Sequence, residues 1–215
     1  MKLGVLGTGM VGNTIATKLV QLGHEVKMGS RTAGNEKAVQ WAKANGAKAS
    51  NGTFAEAAEF GEIIFNCTAG AVSLEALKLA GARNLKDKIL VDISNPLDFS
   101  KGMPPTLTVC NTDSIGEQIQ RTFPDAKVVK TLNTISHTLM VTPQIVPGLH
   151  DIFMSGNDAK AKAKVHEIMT EWFGWKSVID LGDITTARGT EMYLALWLRL
   201  LAVNQTRNFN IRIMK

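Results

Sequence analysis

The sequence predicts an α/β protein with a doubly wound, mostly parallel sheet, followed by a short C-terminal α/β extension. Two patterns predict this class. Short apolar runs alternate with segments of helical periodicity, and a glycine-rich turn joins the first apolar run to the first helical segment. The pattern changes at about residue 151. We therefore predict a main domain over residues 1–150 and a small extension, packed on it, over residues 151–215.

The first strand and helix are predicted from periodicity. Lys2–Leu6 is a short apolar run that stops at glycine, as a buried strand does before a turn. Met10–Leu22 repeats its apolar residues at helical spacing, and Gly23 follows where a helix-ending glycine belongs. The apolar face of this helix is formed by Ile15, Leu19 and Leu22.

The middle elements follow from the same two periods. Glu62–Cys67 carries the consecutive apolar side chains that are typical of a parallel strand buried on both faces. The stretch from Asn95 to Pro105 contains several prolines and is predicted to be a surface loop. The other predicted strands are Glu25–Gly29, Ala47–Ala49, Lys88–Ile93 and Lys127–Leu132, and the helices are Glu36–Ala44, Phe54–Glu59, Val72–Ala80 and Ser114–Phe123.

The extension is predicted as two strands and two helices. The strands are Ile152–Ser155 and Ser177–Leu181. Asp158 is placed to cap a helix that runs to about Trp172, and Thr185–Val203 is a longer apolar helix. Because Tyr193–Leu201 is apolar around much of its circumference, we expect it to pack against a second subunit in a homodimer. Trp172, Trp175, Trp197 and Met192 are expected in the core or at that interface.

Composition favours a cytoplasmic protein that acts on a small molecule or cofactor. The net charge is +5, but lysine and arginine are spread along the chain, so we expect no nucleic-acid partner. No apolar run reaches the roughly 20 residues of a membrane span, and the N-terminal apolar run is too short for a signal peptide. Cys67 and Cys110 form no CxxC pattern and are expected to be free thiols. No histidine has a partner at metal-ligand spacing, so no metal site is predicted.

The segment Gly7-Thr8-Gly9-Met10-Val11-Gly12 is a GxGxxG motif between a predicted strand and a predicted helix. In that position the first glycine allows a tight turn and the second lets a pyrophosphate approach the backbone. The third lets the helix pack close to the strand. The N-terminus of that helix attracts the phosphates. The motif therefore predicts a Rossmann dinucleotide site.

The end of the second strand distinguishes the two nicotinamide dinucleotides. An NAD site has an acidic residue there, about 20 residues beyond the glycines, that binds the ribose 2′-hydroxyl. This chain instead has Ser30, Arg31 and Thr32, and Lys37 follows in the next helix. A guanidinium between two hydroxyls suits a 2′-phosphate. We therefore predict NADP(H) as the cofactor.

Further candidates follow the strands whose carboxyl ends border the predicted cleft. They are Cys67, Thr68 and Ala69 after the fourth strand, Asn95 and Pro96 after the fifth, and Asn133, Ser136 and His137 after the sixth. Asn133 could bind the nicotinamide amide or ribose, or simply form a turn. Ser136 and His137 are candidates for substrate contact, and His137 is either a general acid or a bystander. The sequence identifies no acid–base catalyst, and Cys67 is expected to be cleft wall because no histidine is paired with it.

Taken together, these motifs resemble the F420-dependent NADP oxidoreductases and, equally, the NADPH-binding reductase domain of the mammalian six-transmembrane metalloreductases. The resemblance runs from Gly4 to about Leu200. The segments that carry it are Gly7–Gly12, Gly29–Arg31, Val129–Ser136, Ser155–Lys162, and Ala187-Arg188 with Glu191.

The resemblance implies hydride transfer between C4 of the nicotinamide and a stacked tricyclic acceptor, either coenzyme F420 or a flavin (FMN or FAD). It also implies that Ser30, Arg31 and Thr32 hold the 2′-phosphate, and that residues around Thr68, Asn95 and Asn133 line the nicotinamide pocket. One departure concerns the acceptor, because the archaeal deazaflavin enzymes have a histidine where this chain has Asn133. Two alternatives stay open: an NADPH-dependent reductase of another small organic substrate, and a non-catalytic NADPH sensor.

Overall fold

The computed structural model describes residues 1–214 and places helices on both faces of one large sheet. The strands are β1 (Lys2–Leu6), β2 (Glu25–Ser30), β3 (Ala49–Thr53), β4 (Ile63–Asn66), β5 (Ile89–Asp92), β6 (Leu97–Asp98), β7 (Thr106–Leu107), β8 (Lys127–Thr131), β9 (Ile152–Gly156) and β10 (Val178–Asp180). The helices are α1 (Met10–Gln21), α2 (Glu36–Asn45), α3 (Phe54–Phe60), α4 (Gly70–Ala80), α5 (Ala82–Leu85), α6 (Ile115–Thr122), α7 (His137–Val141), α8 (Ala159–Glu167) and α9 (Ala187–Asn204). A π-helical turn over Ile168–Trp172 extends α8.

The large sheet has eight strands in the order β10-β9-β8-β5-β4-β1-β2-β3. Neighbouring strands run parallel except β8 and β9, which are antiparallel. The chain winds outward from β1 to β3 and then crosses back to β4, so the order reverses between β1 and β4. In open α/β sheets ligands bind beyond the strand ends at such a reversal. The topology therefore confirms the predicted fold class and places the glycine loop at the expected edge.

Two apolar layers hold the helices to the sheet. Leu3, Val5 and Phe65 pack towards α1, α2, α7 and α8, whereas Leu6 and Ile64 belong to the layer beneath α3 to α6 and the start of α9. Successive strand residues alternate between these layers because their side chains point to opposite faces. All four residues of β4 are buried, as the sequence predicted for a strand covered on both sides.

Most predicted elements are present, but two details of the first half were wrong. The third strand is Ala49–Thr53, not Ala47–Ala49, and it pairs in parallel with β2 up to Ser30. Its Asn-Gly pair has low strand propensity, so pairing with β2 decides the conformation. Leu22 lies one residue beyond α1 and is 40% exposed, so only Ile15 and Leu19 of the predicted face are buried.

The predicted loop from Asn95 to Pro105 contains a short strand. β6 pairs with β7 in a two-stranded antiparallel sheet that lies outside the large one. Two short helices, α5 and α7, were not predicted either, because their four and five residues are too few to show a helical period.

The sheet runs across the proposed division near residue 150, because β9 pairs with β8 and β10 pairs with β9. The division itself stays a prediction. Trp175 is a core residue whose indole N–H donates to the carbonyl of Met140 at 3.0 Å, while Trp172 and Trp197 are half-buried. Throughout residues 1–214, no helix combines the length and apolar character required to span a membrane.

Candidate functional site

The glycine loop between β1 and α1 is held by contacts that only glycine permits. Gly7 has φ +114° and donates its N–H to the carbonyl of Gly29 at 2.9 Å. A Cβ at Gly12 would lie 2.0 Å from the carbonyl oxygen of Gly7. The loop and the first turn of α1 are therefore packed as the motif predicts, with the helix close against the strand end.

The N-terminus of α1 is open towards the cleft. Gly9 is the N-cap residue, makes no side-chain cap, and is followed by no acidic residue in the first turn. A Cβ built on Gly9 would meet no atom within 4 Å, so packing within the protein does not require glycine there. The free N–H groups and the positive end of the helix dipole make this space suitable for a pyrophosphate. The residues present thus fit a dinucleotide.

A cavity of about 580 Å³, here named the glycine-loop cleft, lies at this edge of the sheet. Of the predicted site residues it is lined by Gly7, Thr8, Gly9, Ser30, Arg31, Cys67, Thr68 and Ala69. Six further lining residues were not predicted from the sequence: Asn35, Phe54, Val72, Glu75, Ala76 and Leu79. Several of these give the cleft an apolar wall suited to a nucleobase. They lie in helices, or at the N-cap of one in the case of Asn35, that carry no recognisable motif, so only the fold brings them to the cleft.

Arg31 lies at the mouth of this cleft, beyond the end of β2. Its side chain is exposed and makes no salt bridge with any residue in the described part of the chain. Ser30 is buried and its hydroxyl donates to the carbonyl of Thr32 at 2.6 Å, which shapes the turn that presents the guanidinium. An unpaired guanidinium beside a helix N-terminus favours a phosphate over a ribose hydroxyl.

A second, shallower groove lies between α1 and α2, on the other side of the loop. Of the predicted residues, Thr8, Gly9, Met10, Lys37 and His137 line it, together with Thr14 and Trp41. Lys37 is therefore not a wall of the glycine-loop cleft. The remaining predicted residues line neither space: Val11, Gly12, Thr32, Asn95, Pro96, Asn133 and Ser136.

Asn95 and Asn133 form a pair across the ends of β5 and β8. Asn95 Nδ2 donates to the carbonyl of Asn133 at 2.8 Å, and Asn133 Nδ2 donates to Asn95 Oδ1 at 3.0 Å. Leu132, buried just before Asn133, has φ +61°, a left-handed conformation that costs free energy for a non-glycine residue. Strain of this kind is typical of functional sites. Here it turns the chain so that the two amides meet.

A buried ionic cluster lies beneath this amide pair. Lys130 Nζ is 2.7 Å from Asp92 Oδ2 and 2.8 Å from Glu191 Oε1, and it also donates to the carbonyl of Ser94. All three ionic side chains are at most 2% exposed. Burial alone lowers the pKa of Lys130, but Asp92 and Glu191 outweigh it, so the pKa lies above its usual value and the ammonium stays charged.

Hydrogen bonds extend the cluster to neighbouring elements. Asn66 Nδ2 donates to Asp92 Oδ1 at 2.8 Å and to Ser73 Oγ at 2.6 Å, while Thr68 Oγ1 donates to Asn66 Oδ1 at 2.7 Å. On the opposite side, Glu191 accepts from the first two N–H groups of α6 at 2.8 and 3.0 Å. The network therefore joins the ends of β4, β5 and β8 to α6 and α9. In the sequence, Lys130 and Glu191 stood out only through the resemblance, and Asp92 not at all.

None of the predicted titratable candidates is poised as an acid or a nucleophile. Burial, with a smaller contribution from Asp92, raises the pKa of Cys67, so its thiol is protonated at neutral pH. His137 is half-buried, with Nδ1 2.8 Å from Thr14 Oγ1, and burial with a contribution from Arg207 lowers its pKa. Within residues 1–214, no three His, Cys, Asp or Glu side chains are grouped to hold a metal.

A family model and a solved structure support the same family for this chain. Residues 2–96 match the family model described as "NADP oxidoreductase coenzyme F420-dependent". A crystal structure from Arthrobacter sp. FB24, provisionally assigned as an F420-dependent NADP-reductase, is 53% identical over the whole of both chains, with a TM-score of 0.96.

Two curated proteins are more distant relatives. The F420-dependent NADP reductase of Methanothermobacter marburgensis is 28% identical, over 99% of this chain and 98% of its own length. Metalloreductase STEAP3 of Rattus norvegicus is 32% identical over 93% of this chain, but the chain spans only 37% of that protein's length.

Proposed function

Since the chain belongs to the F420-dependent NADP oxidoreductase family, we propose that it transfers a hydride between NADP(H) and the conjugated ring of a deazaflavin, coenzyme F420, or of a flavin. The chain is an NADP-linked oxidoreductase, and the identity of the acceptor is the proposal. The observation that carries the NADP(H) part of the proposal is the cleft beside the open N-terminus of α1. There Arg31, which has no ion-pair partner among the described residues, takes the place of the acidic residue of NAD sites.

When bound, NADP(H) supplies or accepts the hydride at C4 of its nicotinamide ring. The N–H groups at the start of α1 bind the pyrophosphate, and Gly9 leaves room for it. Arg31 binds the 2′-phosphate as a charged hydrogen-bond donor, supported by the turn that Ser30 holds. Cys67, Thr68 and Ala69 then let the ligand pass across the end of β4.

The amide pair receives the nicotinamide end. Asn133 uses Nδ2 to bind Asn95, and its Oδ1 has no hydrogen-bond partner among the described residues. That oxygen is free to accept from the carboxamide of the nicotinamide, which would fix the orientation of the ring. The buried Lys130 cluster holds both loops in register, so the orientation is set before binding.

The proposed acceptor fits a site without an acid–base catalyst. In hydride transfer between two conjugated rings the cofactors carry the bond-making, and the protein supplies orientation and exclusion of water. The site offers amides, a neutral thiol and a histidine whose pKa is lowered. The names of the relatives from Arthrobacter and Methanothermobacter favour coenzyme F420, and a flavin, whose conjugated ring is of the same kind, is kept as the second acceptor.

The test is anaerobic oxidation of NADPH, followed at 340 nm, with coenzyme F420, FMN, FAD and a ferric chelate as separate acceptors. We expect turnover with F420. Turnover with a flavin, and with iron only when the flavin is present, would identify the flavin branch of the proposal.

The proposal would be contradicted if none of the four acceptors supports NADPH oxidation while a direct measurement shows that NADPH binds. A rate with an imine or ketone would then indicate a reductase of a small organic substrate. Binding without any turnover would indicate a sensor.

A further inference from the structure

A small cavity of about 210 Å³, here named the α9 cavity, lies between α9, β9 and the C-terminal segment. Its walls are largely apolar and include Phe153, Leu181 and Ile211, and among residues 1–214 no lysine, arginine or acidic side chain lines it. Thr134, Thr190 and Tyr193 are the lining residues that carry a hydroxyl group, and the hydroxyl of Thr190 donates to the carbonyl of Ala187. The cavity lies apart from the glycine-loop cleft and shares no lining residue with it.

Tyr193 points to a missing ligand at this cavity. Its hydroxyl oxygen is buried and has no hydrogen-bond partner within residues 1–214. Buried polar groups are almost always paired, so each exception needs an explanation. Burial also raises the pKa of Tyr193, which keeps the hydroxyl protonated and able to donate.

The two other buried side-chain polar atoms without a partner among the described residues also belong to α9 or to the C-terminal segment. They are Trp197 Nε1, one turn further along α9, and Asn210 Oδ1, in the C-terminal segment. That segment contacts α9 where Phe209 stacks on Trp197, with ring centroids 5.4 Å apart. The unpaired atoms thus concentrate where α9 meets the C-terminal segment, rather than being scattered over the protein.

The position of the α9 cavity suits a hydride acceptor. Thr134 directly follows Asn133, the residue whose amide pairs with Asn95 at the proposed nicotinamide end. Phe153 lies in β9 next to Met154, which pairs with Thr131 at the end of β8. A ring that stacks on the nicotinamide must approach this end of the sheet, and the α9 cavity borders it.

The size and chemistry of the cavity limit what it can hold. Sites for whole drug-sized ligands have volumes of about 300–1,000 Å³, so this cavity suits one end of a flat ring system and not a nucleotide. None of its described lining residues is a cation, so they offer no charged partner to a phosphate or carboxylate tail. A ring carbonyl is the acceptor that a buried tyrosine hydroxyl requires. The dione end that deazaflavin and flavin rings share is flat and carries ring carbonyls.

We propose that the α9 cavity holds the dione end of the acceptor ring and that Tyr193 donates a hydrogen bond to one of its carbonyl oxygens. This inference rests on the proposed function, because it names the residue that recognises the acceptor. Tyr193 then contributes to the affinity for the acceptor and does not contribute to the affinity for NADP(H).

Tyr193 is the only tyrosine of the chain, which allows a direct test. Protein labelled with 3-fluorotyrosine has a single ¹⁹F resonance, and this is followed while NADP⁺-saturated protein is titrated with coenzyme F420 and, separately, with FMN. We expect a saturable shift of the resonance with the ring that the enzyme uses. In Tyr193→Phe we expect the affinity for that ring to fall about three- to tenfold, as for one lost hydrogen bond, with the NADP⁺ affinity unchanged.

Thr170→Val is the matched control. It also removes one hydroxyl, but that group bonds to the carbonyl of His166 within its own helix, on the other side of the sheet. The inference would be overturned if a ring binds without shifting the resonance and binds Tyr193→Phe as tightly as the wild-type protein. Failure of both rings to bind would also overturn it. NADPH oxidation measured in parallel separates the two claims. NADPH oxidation by an acceptor that leaves the ¹⁹F resonance unshifted contradicts the assignment of the cavity alone. A ring that shifts the resonance but supports no NADPH oxidation contradicts the proposed function alone.

Discussion

Lys130 Nζ lies 2.7 Å from Asp92 Oδ2 in the interior of the protein, where the two side chains are 1% and 0% exposed. The pair joins neighbouring strands, β5 and β8, just below the loops that carry Asn95 and Asn133. Glu191 adds a second negative charge, which the N–H groups at the start of α6 help to stabilise. The cluster is therefore both a structural link and the support of the proposed nicotinamide site.

Lys130→Met is expected to destabilise the protein strongly. The substitution leaves Asp92 and Glu191 buried without their cation, and breaking a buried ion pair in this way costs about 3–5 kcal/mol. The free energy of unfolding from urea titration measures the loss. Lys78→Met removes an exposed pair with Glu75 and should cost no more than about 1 kcal/mol. Similar losses in the two variants would contradict this account.

Local pattern was sufficient to predict much of the fold and the phosphate-binding part of the site. The glycine loop, β1 and Arg31 could be identified because their roles depend on neighbours in the sequence: a turn, a helix start and a strand end. The same holds for Asp158, whose side chain caps α8 by accepting from the N–H of Ala161 at 2.7 Å. These features need no knowledge of distant contacts.

The features that escaped prediction depend on residues far apart in the chain. Asp92 meets Lys130 across 38 residues, and Glu191 meets Ile115 across 76. β3 takes its conformation from pairing with β2, although its own Asn-Gly pair argues against a strand. The antiparallel position of β9 has no sequence signature either. Such relationships follow only from the topology.

Arg31→Ala is expected to weaken the binding of NADPH about 10- to 100-fold and to leave NADH binding nearly unchanged. The reason is the loss of a charged hydrogen bond to the 2′-phosphate, at a site where Arg31 has no competing partner in the described chain. The dissociation constants of the two dinucleotides measure the effect. Arg83→Ala, an exposed change on α5, serves as the control. Equal losses of affinity for the two dinucleotides would show that Arg31 does not bind the 2′-phosphate.

Asn133→Ala is expected to lower kcat/KM for NADPH about three- to tenfold, because one hydrogen bond to the nicotinamide end is lost. The affinity for 2′,5′-ADP, which lacks the nicotinamide, should stay constant. That ligand separates a local effect from damage to the whole cleft. Asn84→Ala is the matched control, since Asn84 bonds to the carbonyl of Ala80 on α4. Parallel loss of 2′,5′-ADP affinity would contradict the assigned role.

A homodimer through α9 is expected from its exposed apolar side chains. Met192, Leu196 and Val203 are 37%, 55% and 80% exposed along its outer side, whereas Ala187, Thr190 and Leu194 face the core. Leu196→Glu should shift the protein towards monomer in sedimentation velocity, because it places a charge in the interface. Leu22→Glu, at another exposed leucine, should not. A wild-type protein that sediments as a monomer would remove this expectation.

The protein is expected to lose stability as the pH falls below about 6.5, because two histidines are held neutral by the fold. Burial lowers the pKa of His24, which stacks on Trp172, and of His137, which bonds to Thr14. As the pH falls, the unfolded chain therefore takes up protons before the folded protein does. The free energy of unfolding is highest above the histidine pKa of the unfolded chain, and it decreases as the pH drops through the lowered histidine pKa values of the folded protein. His137→Gln removes one of these groups and should flatten the decrease between about pH 7 and 5 in urea titrations. An unchanged slope in His137→Gln would show that His137 does not contribute to this loss of stability.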